Sequence, residues 1–112
     1  MAKLAFWITA GPDLSDKALA GIILATRLKQ HRGQDVEVYF FGPGVQLAGK
    51  AEGRVQEALQ GLMGAGVPAG VCPANADQYG VTDALNASGF AMEPAGEALI
   101  RLVENGYQVV GY

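Results

Sequence analysis

The chain reads as a three-layer α/β/α domain with a mostly parallel sheet of about five strands. Two observations predict this. Short apolar runs alternate with longer segments of helical periodicity, and three of those segments end in a glycine (Gly33, Gly66, Gly106) with an apolar run a few residues later. Short helix-to-strand connections of this kind belong to parallel sheets covered on both faces. Length fits too: 112 residues make one domain, large enough to bury a core without disulfides or metals.

Lys3 to Thr9, with Phe6, Trp7 and Ile8, is nearly continuously apolar, as in a strand buried on both faces. Ala10-Gly11-Pro12-Asp13 breaks it as a loop. Ser15 is placed to cap a helix running to about His31, with Asp16 in its first turn and Leu19, Ile22, Ile23 and Thr26 at helical spacing. Val36 to Phe41 is the second strand, ended sharply by Gly42-Pro43-Gly44, and Val45 to Ala48 reads as a short turn or loop. Val55, Leu59, Leu62 and Met63 mark a helix from about Glu52 to Ala65.

Val67 to Val71 forms the third strand and leads into Cys72, the one cysteine. Pro73 opens a helical turn or two reaching Tyr79, because proline is favoured where the helix has no N–H partner to lose. Cys72 then stands at the cap, with its sulfur expected beside the free N–H groups of that helix start, a setting that favours thiolate. The other reading of the same residue is a small buried hydrophobe ending a strand. Val81 to Ser88 follows as a short helix capped by Thr82. Phe90 to Met92 is a short strand, Pro94 opens a helix through Glu104, and Tyr107 to Gly111 is the last strand.

Loops after parallel strands gather at one sheet edge, where ligands bind in such folds. The edge expected here is built from Ala10 to Asp13, Phe41 to Gly44 and Cys72 to Asn75. Cys72 is the candidate catalytic residue, and Gly11, Pro12, Gly42, Pro73, Asn75 and Tyr79 are the candidate ligand-binding residues. Tyr79 offers a hydroxyl to a bound sulfur species or simply packs as an aromatic. Asp77 is expected to face solvent or cap a turn, since a carboxylate beside a thiolate would oppose it. Trp7 is read as packing, and His31 as a surface residue near a helix C-terminus.

Several functions lose support. Net charge is −3 with eight scattered basic residues, against a nucleic-acid-binding surface. No G-x-G-x-x-G or Walker-type glycine loop follows the first strand, and no nucleophile elbow surrounds a serine. One cysteine and one histidine cannot form a structural zinc site, so neither metal nor cofactor is implied. No apolar run nears the roughly 18 residues of a membrane span. Asp13 and Asp16 interrupt any secretory leader, and a lone cysteine asks for no oxidising compartment, so the expected location is cytoplasmic. Half the residues are hydrophobic, an apolar excess that suggests self-association.

Ile8-Thr9-Ala10-Gly11-Pro12, then Val38-Tyr39-Phe40-Phe41 with Gly44-Val45, resemble the opening half of the DsrE/DsrF-like sulfur-relay proteins. Val71-Cys72, followed eight residues later by Gly80-Val81, resembles the active-site segment of that family's DsrE and TusD subunits. Gly89-Phe90 through Ala98-Leu99 to Val109-Val110-Gly111-Tyr112 resembles its last helix and strand. The resemblance implies a parallel α/β/α fold, assembly into trimers or hexamers, and a persulfide carried on Cys72 between a donor and an acceptor protein. Some members of the family lack the cysteine and serve as structural partners. Three functions therefore stand side by side: a persulfide carrier, a non-catalytic structural or regulatory subunit, and a small-molecule-binding module with its pocket away from the sulfur. With no second thiol in the chain, a persulfide on Cys72 must be relieved by another molecule.

Overall fold

The computed structural model describes residues 1–112. It contains five strands, β1 (Lys3–Ile8), β2 (Asp35–Phe40), β3 (Ala69–Val71), β4 (Ala91–Met92) and β5 (Gln108–Gly111). The helices are α1 (Ser15–Gln30), α2 (Pro43–Gly49), α3 (Gly53–Gly64), α4 (Pro73–Gln78), α5 (Thr82–Ala87) and α6 (Ala95–Glu104). All strand pairs are parallel, in the order β4-β3-β2-β1-β5.

That order dictates the layers. From β1 to β4 each strand steps the same way, so right-handed crossovers put α1 to α5 on one face of the sheet. The return from β4 to β5 spans the whole sheet in the opposite direction and puts α6, alone, on the other face.

Strand alternation distributes the side chains accordingly. Phe6, Ile8, Val36, Val38, Phe40 and Val71 are fully buried under the five-helix layer. Trp7, Glu37 and Tyr39 point to the α6 side. The Trp7 and Tyr39 rings stack there, with centroids 4.4 Å apart. Tyr112 closes the far edge by stacking on Phe6 over Gly21 of α1, and its carbonyl accepts the Thr9 and Ala10 N–H groups.

Local differences from the sequence reading have physical causes. Val45 to Ala48 is not a loop but the middle of α2. Gly42, at φ 59°, turns the chain directly into Pro43 at the first helical position. Ser15 does not cap α1. The 3₁₀ turn Pro12–Leu14 runs straight into the helix, so Leu14 holds the cap position and Ser15 is already helical. Thr82 likewise sits one residue inside α5, and its hydroxyl donates to Asp77 Oδ1 at 2.7 Å. Asp77 thus closes the turn between α4 and α5.

The start of α2 passes so close to β1 that a methyl at Gly44 would strike the Ile8 carbonyl oxygen, a backbone atom that cannot rotate away. Gly44→Ala should therefore lower the unfolding free energy by about 3 kcal/mol in urea titrations, at the upper end of overpacking costs. Gly61→Ala, on the open side of α3 with nothing within 4 Å, should raise it by about 0.5–1 kcal/mol through helix propensity.

Candidate functional site

The three expected loops do meet at the C-terminal edge of the sheet. Gly11 of the first loop lies against Pro43 of the second, where a Cβ on Gly11 would come within 2.6 Å of the proline Cβ. The second is tied to α4: the Gly42 N–H donates to Asn75 Oδ1 at 2.8 Å. Gly42 and Asn75 thus bind each other. Pro73 occupies the first position of α4, as the sequence indicates. Tyr79 caps the C-terminus of that helix and packs against the core. Pro12 faces a different space, a cavity of about 560 Å³ between the first loop, α2 and the start of α3, lined also by Asp16, Gln46, Lys50 and Arg54. Cys72 does not line it. No three His, Cys, Asp or Glu side chains cluster as a metal site.

Cys72 occupies the cap of α4 with extended backbone (φ −73°, ψ 118°). Its N–H donates to the Phe40 carbonyl at 3.2 Å, and its carbonyl accepts the Ala76 N–H at 3.0 Å. The sulfur, however, takes no capping hydrogen bond from α4. The reason is strand parity. Extended backbone carries the alternation of β3 one step further, so Cys72 follows Gly70 to the α6 side of the sheet. That face also carries the Tyr39 phenol, whose ionisation Cys72 opposes. The side chain is only 6 % exposed and belongs to the main core cluster. A single copy of the chain thus encloses the sulfur that a carrier must present.

Tyr39 is the neighbour that the sequence reading missed; it named Tyr79 for the hydroxyl. Tyr39 pairs with Gly70 across β2 and β3, and its ring lies over that glycine, whose missing Cβ would sit 3.2 Å from Cδ1. The hydroxyl reaches beyond, donating to the Glu93 carbonyl at 2.7 Å. Glu93 is itself fixed, since Arg101 binds its carboxylate at 3.0 Å and bridges to Glu37 at 3.0 Å. A glycine inside a strand, two residues before the cysteine, was the available signal, since such glycines mark close approach.

The DsrE/DsrF-like family profile matches residues 2–112. No curated protein matches the sequence. Among solved structures, a conserved protein of unknown function from Bacteroides thetaiotaomicron superposes with TM-score 0.79 at 17 % identity, covering 96 % of this chain and 94 % of that one. The ychN protein from E. coli superposes with TM-score 0.78 at 17 % identity over the full length of both chains. At that identity these two likenesses establish the shared fold.

Burial drives the ionisation of Tyr39 well above the ordinary tyrosine range, and Cys72, Glu93 and Glu97 push it further the same way. A group held neutral in the folded chain but free to ionise near pH 10.0 when unfolded contributes stability below that pH and loses it as pH rises above. Wild type should therefore lose stability steeply above pH 10 in urea titrations. Tyr39→Phe, less stable at neutral pH for want of the Glu93 hydrogen bond, should show a shallower alkaline decline.

Proposed function

The chain belongs to the DsrE/DsrF-like family, and on that footing we propose that it is a sulfur-relay subunit carrying sulfane sulfur as a persulfide on Cys72. The observation that supports this most directly is the position of its one thiol. Cys72 follows a central strand of a parallel sheet, at the edge where the loops after β1, β2 and β3 converge and where such folds act on ligands.

The chemistry is two thiol exchanges. The Cys72 thiolate attacks the outer sulfur of a donor persulfide, R–S–SH. A bond forms from Sγ to that sulfur, the donor S–S bond breaks, and the donor leaves as R–S⁻. An acceptor thiolate then attacks the outer sulfur of Cys72–S–SH, and Cys72 leaves as thiolate with the electron pair. No net oxidation occurs. The absence of a second cysteine makes donor and acceptor separate molecules, proteins in this reading. The reducing cytoplasm suits a lone working thiol, and no helix is long and apolar enough to cross a membrane.

The same reading makes the chain a homo-oligomer, a trimer or hexamer. What supports assembly is α6, which is apolar on two sides. Ala98 and Leu102 are buried against the sheet, while Leu99, Ile100 and Val103 are 41 %, 60 % and 59 % exposed. With Gly96 these outer residues form an i, i+3, i+4, i+7 stripe without a charge, and an exposed apolar patch of this kind marks an interaction site. A second copy of the chain is the proposed cover. Light scattering should find the wild type larger than its 11.7 kDa chain and Ile100→Glu reduced to monomer; a monomeric wild type would refute the assembly.

Burial of Cys72 favours a second reading, a structural subunit whose cysteine is a core residue. Mass spectrometry after incubation with a small-molecule persulfide donor separates the two. The carrier gains the mass of one sulfur, and Cys72→Ala gains none. Equal gain in both proteins, or no gain in wild type, leaves the structural reading standing.

A further inference from the structure

Resting on the reading of Cys72 as carrier, we propose that Tyr39 is its positioning residue: the phenol O–H turns from the Glu93 carbonyl onto the Cys72 sulfur whenever that sulfur is a thiolate. The thiolate occurs twice in the relay, as nucleophile when sulfur is loaded and as leaving group when it is delivered. A donor placed there assists both steps.

The geometry is built for a fixed ring and a mobile proton. Trp7 stacks on the Tyr39 ring at 4.4 Å, and Gly70 lets the ring settle on the sheet. The hydrogen-bond acceptor is equally fixed, because the Glu93 N–H donates to the Val71 carbonyl at 3.3 Å and the Glu93 carboxylate is bound by Arg101. Glu93 follows the β4 residue paired with Val71, so the Glu93 carbonyl and Cys72 stand at the same level of neighbouring strands. The phenol oxygen carries one proton and can also accept. With a neutral thiol, the O–H stays on Glu93 and the oxygen is free to accept S–H. With a thiolate, rotation about the C–O bond turns the O–H from Glu93 towards the sulfur, which stands level with Glu93 on the neighbouring strand.

Charge decides the direction of that rotation, since hydrogen bonds to an anion are about twice as strong as those to a neutral carbonyl. The ionisable groups that act on the phenol are Cys72 from the β3–α4 junction, Glu93 from the β4–α6 connection and Glu97 from α6. Arg101 is nearby, but its charge is shared between Glu37 and Glu93. Burial and these anionic neighbours keep the phenol protonated, hence a donor, throughout the range where thiols ionise.

Iodoacetamide alkylation of Cys72 across pH tests the proposal without requiring any persulfide. Tyr39→Phe keeps the ring and the Trp7 stack and removes only the oxygen. Its profile should shift upward by about one pH unit, giving on the order of tenfold slower alkylation below the midpoint and an unchanged plateau at high pH. The plateau reports access to the sulfur, whereas the midpoint reports the hydrogen bond. Gly70→Ala, which displaces the ring but keeps the hydroxyl, should shift the midpoint in the same direction by less. Coincident midpoints for wild type and Tyr39→Phe, with matching near-ultraviolet circular dichroism, would overturn the proposal; should Tyr39→Phe misfold, an unshifted Gly70→Ala would do so instead. Sulfur loading by wild type with coincident profiles removes the role of Tyr39 and keeps the carrier. A shifted profile with no sulfur loading removes the carrier and keeps Tyr39 as the partner of the thiol.

Discussion

The handedness of the crossovers governs this molecule more than any single contact. Four strands laid down in one direction place five helices on one face, and the fifth strand can be reached only by bringing α6 back across the other. The two faces are therefore unequal. The thick side supplies the apolar core of Phe6, Ile8, Val38 and Phe40. The thin side, under a single ten-residue helix, holds the Trp7–Tyr39 stack, the Arg101 bridge between Glu37 and Glu93, and Cys72.

Parity within β3 turns this asymmetry into a site. Ala69 and Val71 face the thick layer and are buried by it. Gly70 and Cys72 face the thin one. Had the strand ended one residue earlier or later before the turn into α4, the sulfur would point among α1–α5, away from the phenol. Gly70 is equally constrained. Any side chain there would press on the Tyr39 ring, which would have to shift by a few tenths of an ångström. The spacing of glycine and cysteine by two is thus a geometric requirement of the arrangement.

Much of this was legible in the residues. Short apolar runs alternating with period-3.6 segments gave the α/β/α class, and the helix-ending glycines Gly33, Gly66 and Gly106 do adopt positive φ. Pro73 marked the start of α4 correctly. What escaped was long-range. Nothing local to Tyr39 says that its ring will cross Gly70, 31 positions later in the chain, because that follows from the register of β2 on β3. Tyr79 looked the better donor only because it is near Cys72 in sequence. The capping errors at Ser15 and Thr82 are of another kind. Both hydroxyl residues are good caps by propensity, but a 3₁₀ turn before one and a tight turn before the other shift each helix start by a residue. At Cys72 the sulfur takes no capping hydrogen bond, and the reason is local. A cap residue still obeys the pleat of the strand it leaves.

Enclosure of the sulfur and exposure of α6 belong together on the thin face. A persulfide in open water is readily lost to passing thiols, so a relay gains from keeping the sulfur covered until an acceptor is in place. Yet transfer requires two sulfur atoms in line, and a covered sulfur admits none. On this side Tyr39, the β4–α6 connection at Glu93 and α6 are joined by one phenolic hydrogen bond and one guanidinium bridge. The apolar stripe of Leu99, Ile100 and Val103 lies on the same helix that follows Glu93. On the proposed reading, a molecule that docks on α6 therefore grips the helix that follows the connection hydrogen-bonded to Tyr39.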